Sequence, residues 1–120
     1  MNEFKFIAEE KTFLVEVEGK KLRVSFEEKD LPWREAQQWC KENGGGDESV
    51  ANLRLLAKYR EHINNELSAL GKEEFGGWYW SNEQSYISPD STAFVVYLQD
   101  GHVCYFGMHY YLFVRAVSAL

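Results

Sequence analysis

Basic residues are nearly missing from the second part of this chain: beyond Phe75 the only lysine or arginine is Arg115. No Lys/Arg stripe occurs earlier either, and the formal net charge is −6. Phosphate neutralisation, which dominates affinity for nucleic acids, needs clustered cations, so nucleic acid is not expected as a partner. Binding to anionic bilayers is disfavoured on the same ground. Apolar runs long enough to span a bilayer are also missing, which argues against membrane insertion. The opening Met1-Asn2-Glu3-Phe4-Lys5-Phe6-Ile7 has neither the apolar stretch nor the small-residue cleavage site of a secretory leader. That suits a cytoplasmic protein or a mature exported form. Cysteine is scarce: Cys40 and Cys104 match no metal or redox spacing,. A bridge would have to cross the layer between a helix and a sheet, so both are expected to be free thiols. The Gly44-Gly45-Gly46 run is followed by acidic residues instead of Lys-Ser/Thr, which excludes a phosphate loop,. No segment gathers the six to eight oxygen ligands that calcium requires. Neither metal nor cofactor is therefore expected.

What is present is an ordinary globular composition in 120 residues, enough for one core without staples,. Phe13, Val15 and Val17, then Leu22, Val24 and Phe26, alternate with polar residues around Glu18-Gly19-Lys20, which predicts a hairpin,. Phe4 and Phe6 supply a further short strand. Asp30-Leu31-Pro32-Trp33 opens a helix, with Pro32 in its first turn and Trp33, Ala36 and Cys40 on one apolar stripe. Asn43 and the glycine run end it. A second helix begins near Ser49 or Asn52 and carries Leu53, Leu56, Ile63, Leu67 and Leu70 inward to a C-cap at Gly71. The polar stretch Glu61–Asn65 leaves open whether that helix is one piece or two. After Gly76-Gly77 the pattern is of strands: Trp78–Ser81, then Phe94–Leu98 returning through Asp100-Gly101 into Val103–Phe106, then a closing strand Leu112–Val117,. Strands, helices, then strands in blocks define an α+β class, with a mostly antiparallel sheet. The chain is read as a single domain over residues 1–120, with N-terminal strands in 1–30 and the main body in 31–120.

Three segments together resemble a known family. Pro32-Trp33-Arg34-Glu35-Ala36-Gln37-Gln38-Trp39-Cys40 resembles the first helix of bacterial C-type-lectin-like domains. Trp78-Tyr79-Trp80-Ser81-Asn82-Glu83 resembles their "W-Y-W-S-S-T-E" strand, and Ala93–Leu98 with Asp100-Gly101, Val103 and the closing Val114-Arg115-Ala116-Val117 resembles their hairpin and last strand. The set is similar to the DUF1566 family, to the C-terminal domain of a Legionella collagen-like adhesin, and to the variable proteins of diversity-generating retroelements. It covers roughly Leu31 to Leu120. The resemblance implies a C-type-lectin-like fold, antiparallel strands with two flanking helices, and a binding rather than a catalytic role. Gly45-Gly46-Asp47-Glu48-Ser49 departs from the family's "W-R-L-P-T" segment, and the lectin calcium signature is absent, so calcium-independent binding is implied.

Individual residues refine this reading. His62 and Glu66 lie four apart, a spacing that could hold a metal, but no third ligand supports it,. Cys40 sits on an apolar stripe, where a thiol is a core group and not a nucleophile. Trp33, Trp39, Trp78 and Trp80 are read mainly as core, and Arg115 as a clamp on a carboxylate or on loop carbonyls. The better candidates lie between Tyr86 and Tyr111. With Phe94, Val96 and Leu98 inward, Val95, Tyr97 and Gln99 face outward, and His102 and Cys104 show on the partner strand. Tyr and His offer rigid contact area with a polar tip. The candidate ligand-binding residues are therefore Tyr86, Tyr97, Gln99, Asp100, His102, Tyr105, His109 and Tyr110, facing a protein or glycan. The same set could equally be a half-buried rim. The alternatives are a structural subunit, with a homo-oligomer covering the aromatic face, or a small enzyme centred on His or Cys.

Overall fold

The computed structural model describes residues 3–120 and is an α+β domain with three helices. Its first sheet has the order β1-β2-β3-β9, where β1 is Phe4–Ala8, β2 Thr12–Val17, β3 Lys20–Ser25 and β9 Val117–Ala119. The second has the order β4-β8-β5-β6-β7, with β4 Lys29–Leu31, β5 Trp78–Gln84, β6 Thr92–Tyr97, β7 His102–Gly107 and β8 Leu112–Val114. Helices α1 (Trp33–Glu42), α2 (Val50–Lys58) and α3 (Arg60–Ala69) separate the two groups of strands in sequence. No helix among the described residues is long and apolar enough to cross a membrane.

The first hairpin forms as its alternation dictates. Phe13, Val15, Val17, Leu22 and Val24 are all buried, and Glu18-Gly19 turns the chain with both residues at positive φ (50° and 77°). Two successive positive φ values match the twist of the flanking strands, and Gly supplies one of them without steric cost. β9 pairs with β3, so the last strand of the chain closes the sheet built by the first.

Four elements differ from the sequence reading. The second helix is two, broken at Tyr59 and not within Glu61–Asn65: Tyr59 (φ −105°, ψ 16°) ends α2 and begins α3. Its hydroxyl donates to Glu18 while its ring is buried, so the residue is held at the joint from both ends. The break turns Leu70 out to solvent, at 47% exposure, whereas Ile63 and Leu67 stay buried. The C-cap is Leu70, one residue before the expected Gly71, which follows at φ 68° and donates its N–H to the Ser68 carbonyl. Pro32 precedes α1 as its N-cap with extended backbone (ψ 158°), because residues 29–31 are taken up as β4 against β8. The closing strand is also two. β8 lies in the second sheet and β9 in the first, and Arg115-Ala116 carries the chain between them. β8 meets β5 in a parallel pairing at Tyr79 and Phe113, the exception in otherwise antiparallel ladders.

Two cores result. The larger joins Phe13, Val15, Leu22 and Val24 to Leu53, Leu56, Ile63 and Leu67 of α2 and α3 and to Tyr79, Val96 and Leu98 of the second sheet. The smaller lies under α1 and holds Trp33, Ala36, Cys40, Trp80, Ala93, Val95, Met108 and Val114. The second sheet is thus apolar on both faces, which overturns the expected phase of β6. Val95 is fully buried, and Phe94 is only half-buried. Leu98 is buried too, but beyond the strand: the turn between the paired residues Tyr97 and His102 spans Leu98 to Gly101 rather than Asp100-Gly101 alone.

Buried polar groups sit where the two sheets meet. Arg115, 2% exposed, donates from Nε to Glu28 at 3.1 Å and from Nη2 to the Glu73 carbonyl at 2.8 Å, and lies over the Phe75 ring. Tyr79 donates its hydroxyl to the same Glu28 oxygen and accepts from the Gly76 N–H. Arg115 is therefore the clamp on a carboxylate and a loop carbonyl that its place in the sequence suggested.

Candidate functional site

The site is built from the face of the β6–β7 hairpin that looks toward α1. Cross-strand pairing sets Trp78 beside Tyr97 and Tyr97 beside His102, with Trp80, Val95 and Cys104 in the next row. Side chains alternate across a sheet, so these rows and Phe106 share one face. Under α1 the face is sealed: Trp80 and Val95 are fully buried. Beyond the helix the same face opens. There Trp78 lies tilted against Tyr97 (4.8 Å between centroids) and Phe106 (5.5 Å) and meets His102 edge-on (6.2 Å). Phe106 meets Tyr110 edge-on at 5.9 Å, and Tyr110 stacks on His109 at 4.5 Å. Trp78, Tyr97 and Phe106 are half-buried, and His102, His109 and Tyr110 are exposed. The rings form a continuous aromatic strip, anchored at one end in the core and wet at the other.

Local chemistry fixes the strip. Asp100 accepts the His102 N–H at 2.9 Å, which tightens the turn and starts β7. Gln99 accepts the Gly77 N–H at 2.9 Å and so ties the turn to the approach of β5. At the other end the Tyr110 N–H donates to the Gly107 carbonyl, and the His109 ring covers Gly107 so closely that a Cβ there would stand 2.7 Å from it. Met108 is buried, and its carbonyl accepts the Trp33 N–H, anchoring the returning loop to the start of α1.

Of the sequence candidates, Tyr97, His102, His109 and Tyr110 come together in this strip. Tyr105 does not join them: it pairs with Phe94 on the opposite face of the hairpin, where Tyr86 packs edge-on against Phe94 at 5.2 Å. Tyr86 and Tyr105 thus form a separate exposed group, at 85% and 44% exposure. Gln99 and Asp100 lie at the strip's border with their side-chain oxygens engaged by the backbone. Trp78 and Phe106 belong to the strip although sequence reasoning set Trp78 in the core and passed over Phe106. The i, i+2 step from Cys104 to Phe106 was the signal for the latter.

Glu48 was also missed. It is 1% exposed, and its Oε2 accepts the N–H groups of Gly46 and Val117, both at 2.8 Å. Burial pushes its carboxyl above the usual carboxylate range. Burial, with Glu48 alongside, pushes the Cys40 thiol far up as well, which makes it a poor nucleophile,. The departing loop Gly45–Ser49 is in this way a built structure. Ser49 caps α2 by accepting the Asn52 N–H, and Asp47 accepts the Ala119 N–H. A shallow depression of about 360 Å³ beside Glu48 is walled by Trp33, Arg34, Gln37, Gln38, Lys41 and Asn82.

His62 lies against the Phe4 ring at 5.2 Å. No group of three or more His, Cys, Asp or Glu that could hold a metal occurs among the described residues. Cys40 and Cys104 are free thiols, the first buried and the second half-buried at the edge of the smaller core. Comparison with protein-family models, with curated proteins and with solved structures gives no match to this chain.

Proposed function

We propose that the chain is a non-catalytic, calcium-independent binding module of the C-type-lectin-like kind, engaging a glycan or protein through the aromatic strip. The observation that carries the reading is the run of contacting rings from Trp78 to His109, which passes from core to solvent along one sheet face. Aromatic rings with a polar edge suit both partners: they stack on the apolar face of a sugar, and they supply rigid contact area in protein paratopes. The strip has no lysine or arginine, which favours a neutral ligand. Burial of the Cys40 thiol supports binding over chemistry at that residue,. The C-type-lectin-like part of the reading rests on the order of strands, helices and strands and on the Trp78–Ser81 and Val114–Val117 segments. The helix break at Tyr59 and the parallel β5–β8 contact are its departures.

The test is a glycan and protein array probed with the labelled domain, once in EDTA and once in calcium. The proposal expects the same hits in both buffers and an unchanged melting temperature. Hits that need calcium, or a melting temperature raised several degrees by it, would overturn the metal-independent reading.

A further inference from the structure

Each sheet has two outer strands, and three of the four are protected against pairing. β9 and β4 are only three residues long, and β4 carries Lys29 and Asp30. β1 has Lys5 at its second position. Short or charged edges are the usual means by which sheets avoid joining. The fourth edge, β7, has neither device: His102-Val103-Cys104-Tyr105-Phe106-Gly107 is six residues without a formal charge or a proline. Among the described residues β7 pairs with β6 on one side and with no strand on the other.

From this we infer that β7 pairs with β7 of a second copy of this chain, antiparallel about a two-fold axis, to make one continuous sheet. The inference is independent of the ligand reading above. The second copy is favoured because in a chain of net charge −6 this strand is a charge-free edge that meets no like charge when it faces itself. The register follows from the hydrogen bonds. The Met108 N–H donates to the Ser91 carbonyl, continuing the β6–β7 ladder. Alternation from there gives the backbone groups of Phe106, Cys104 and His102 to β6 and leaves those of Val103 and Tyr105 pointing away. The Gly107 carbonyl is engaged by Tyr110 and its backbone covered by His109, which leaves Val103 and Tyr105 as the positions that can pair; the Tyr105 carbonyl accepts only a long contact from the Cys104 thiol at 3.8 Å. They are both used when Val103 of each copy pairs with Tyr105 of the other. Cys104 then stands opposite its own symmetry mate in the closer, non-hydrogen-bonded kind of pair, with Cα atoms about 4.5 Å apart. That is within the range of roughly 4.4–6.8 Å that a disulfide spans. His102 of each copy faces Phe106 of the other across the seam, so the two aromatic strips lie on the same side of the joined sheet.

Sedimentation combined with thiol cross-linking tests this. The unmodified protein is expected at twice its chain mass of 14.0 kDa. Diamide should link it covalently: two Cys104 thiols lose two electrons and two protons to the azo group and form one S–S bond. The link should vanish in Cys104→Ser and persist in Cys40→Ser. Tyr105→Pro deletes an outward N–H without touching the β6 ladder, and should give a monomer that keeps its circular dichroism. Tyr105→Lys, an exposed change, does the same job if the proline variant does not fold. A chain that stays monomeric up to about 1 mM overturns the inference. So does a dimer that survives both substitutions, or one that yields no Cys104 link.

Discussion

The core between the two sheets and the core under α1 use the second sheet in opposite ways. In the first, Val96, Leu98 and Tyr79 are covered completely by α2, α3 and the other sheet. In the second, α1 covers Trp80, Val95 and Ala93 but stops short of Trp78, Tyr97 and Phe106, which continue the same face into solvent. Trp78 and Trp80 make the contrast sharpest, since they stand two residues apart on one face of one strand. Trp80 is fully buried and donates its Nε1–H to the Leu31 carbonyl at 2.8 Å, whereas Trp78 is half-buried, packed on the margin of the smaller core and on the rings of Tyr97, Phe106 and His102. A small domain has little apolar surface to spare, so large rings left outside a finished core point to use at a surface.

Substitutions should separate the two regions by size of effect. Arg115→Ala is expected to have one of the two largest costs, about 3–5 kcal/mol, because Glu28 would be left buried without its cation at the seam of the larger core,. Urea denaturation would show this as a lower midpoint. Trp80→Ala should cost a similar amount, about 3–5 kcal/mol, and Trp78→Ala distinctly less, as its ring is half in water already,. Equal losses at the two tryptophans would erase the distinction between closed and open parts of the sheet.

Glu48 yields the next prediction, a pH dependence of smaller size and with a sign. Burial raises its pKa in the folded chain, so its contribution to stability is complete below the ordinary carboxylate range and is lost as pH rises through the raised value,. Glu48→Gln keeps an oxygen for the Gly46 and Val117 N–H groups and removes the ionisation. Its stability should change less than that of the wild type between about pH 5 and about pH 8, with the variant gaining relative ground at the higher pH. Glu48→Leu leaves those N–H groups unpaired at a cost of about 1–3 kcal/mol each,. Wild-type stability that rises across that range while Glu48→Gln stays flat would reverse the assigned shift.

Much of the fold was legible because single elements obey local rules: the alternation from Phe13 to Phe26, the helix ending at Asn43, the left-handed Gly71 just past α3. The misreadings share a cause. Val95 was assigned outward because alternation was taken to mean one buried face, but α1 covers the other face of β6 as well. The split of the closing strand falls where Arg115 reaches Glu28, a contact 87 residues away in sequence that no local pattern encodes. Residue types put Tyr97, His102, His109 and Tyr110 among the candidates that the fold brings together, whereas the separation of Tyr105 onto the far face needed the strand register. Glu48 was hidden because an acidic residue in a Gly-rich loop reads as solvated until Val117 is brought against it.

The claim that the open end of the smaller core is a binding surface is tested most directly at residues the fold does not need. His102 and Tyr110 are exposed members of the strip, and His102→Ala with Tyr110→Ala should leave the melting temperature within a few degrees of the wild type,. Probed on the same glycan and protein array in EDTA, the double variant is predicted to lose the hits that the wild type gives. Hits retained at full strength by a folded double variant would contradict the account and return the strip to the role of a half-buried rim.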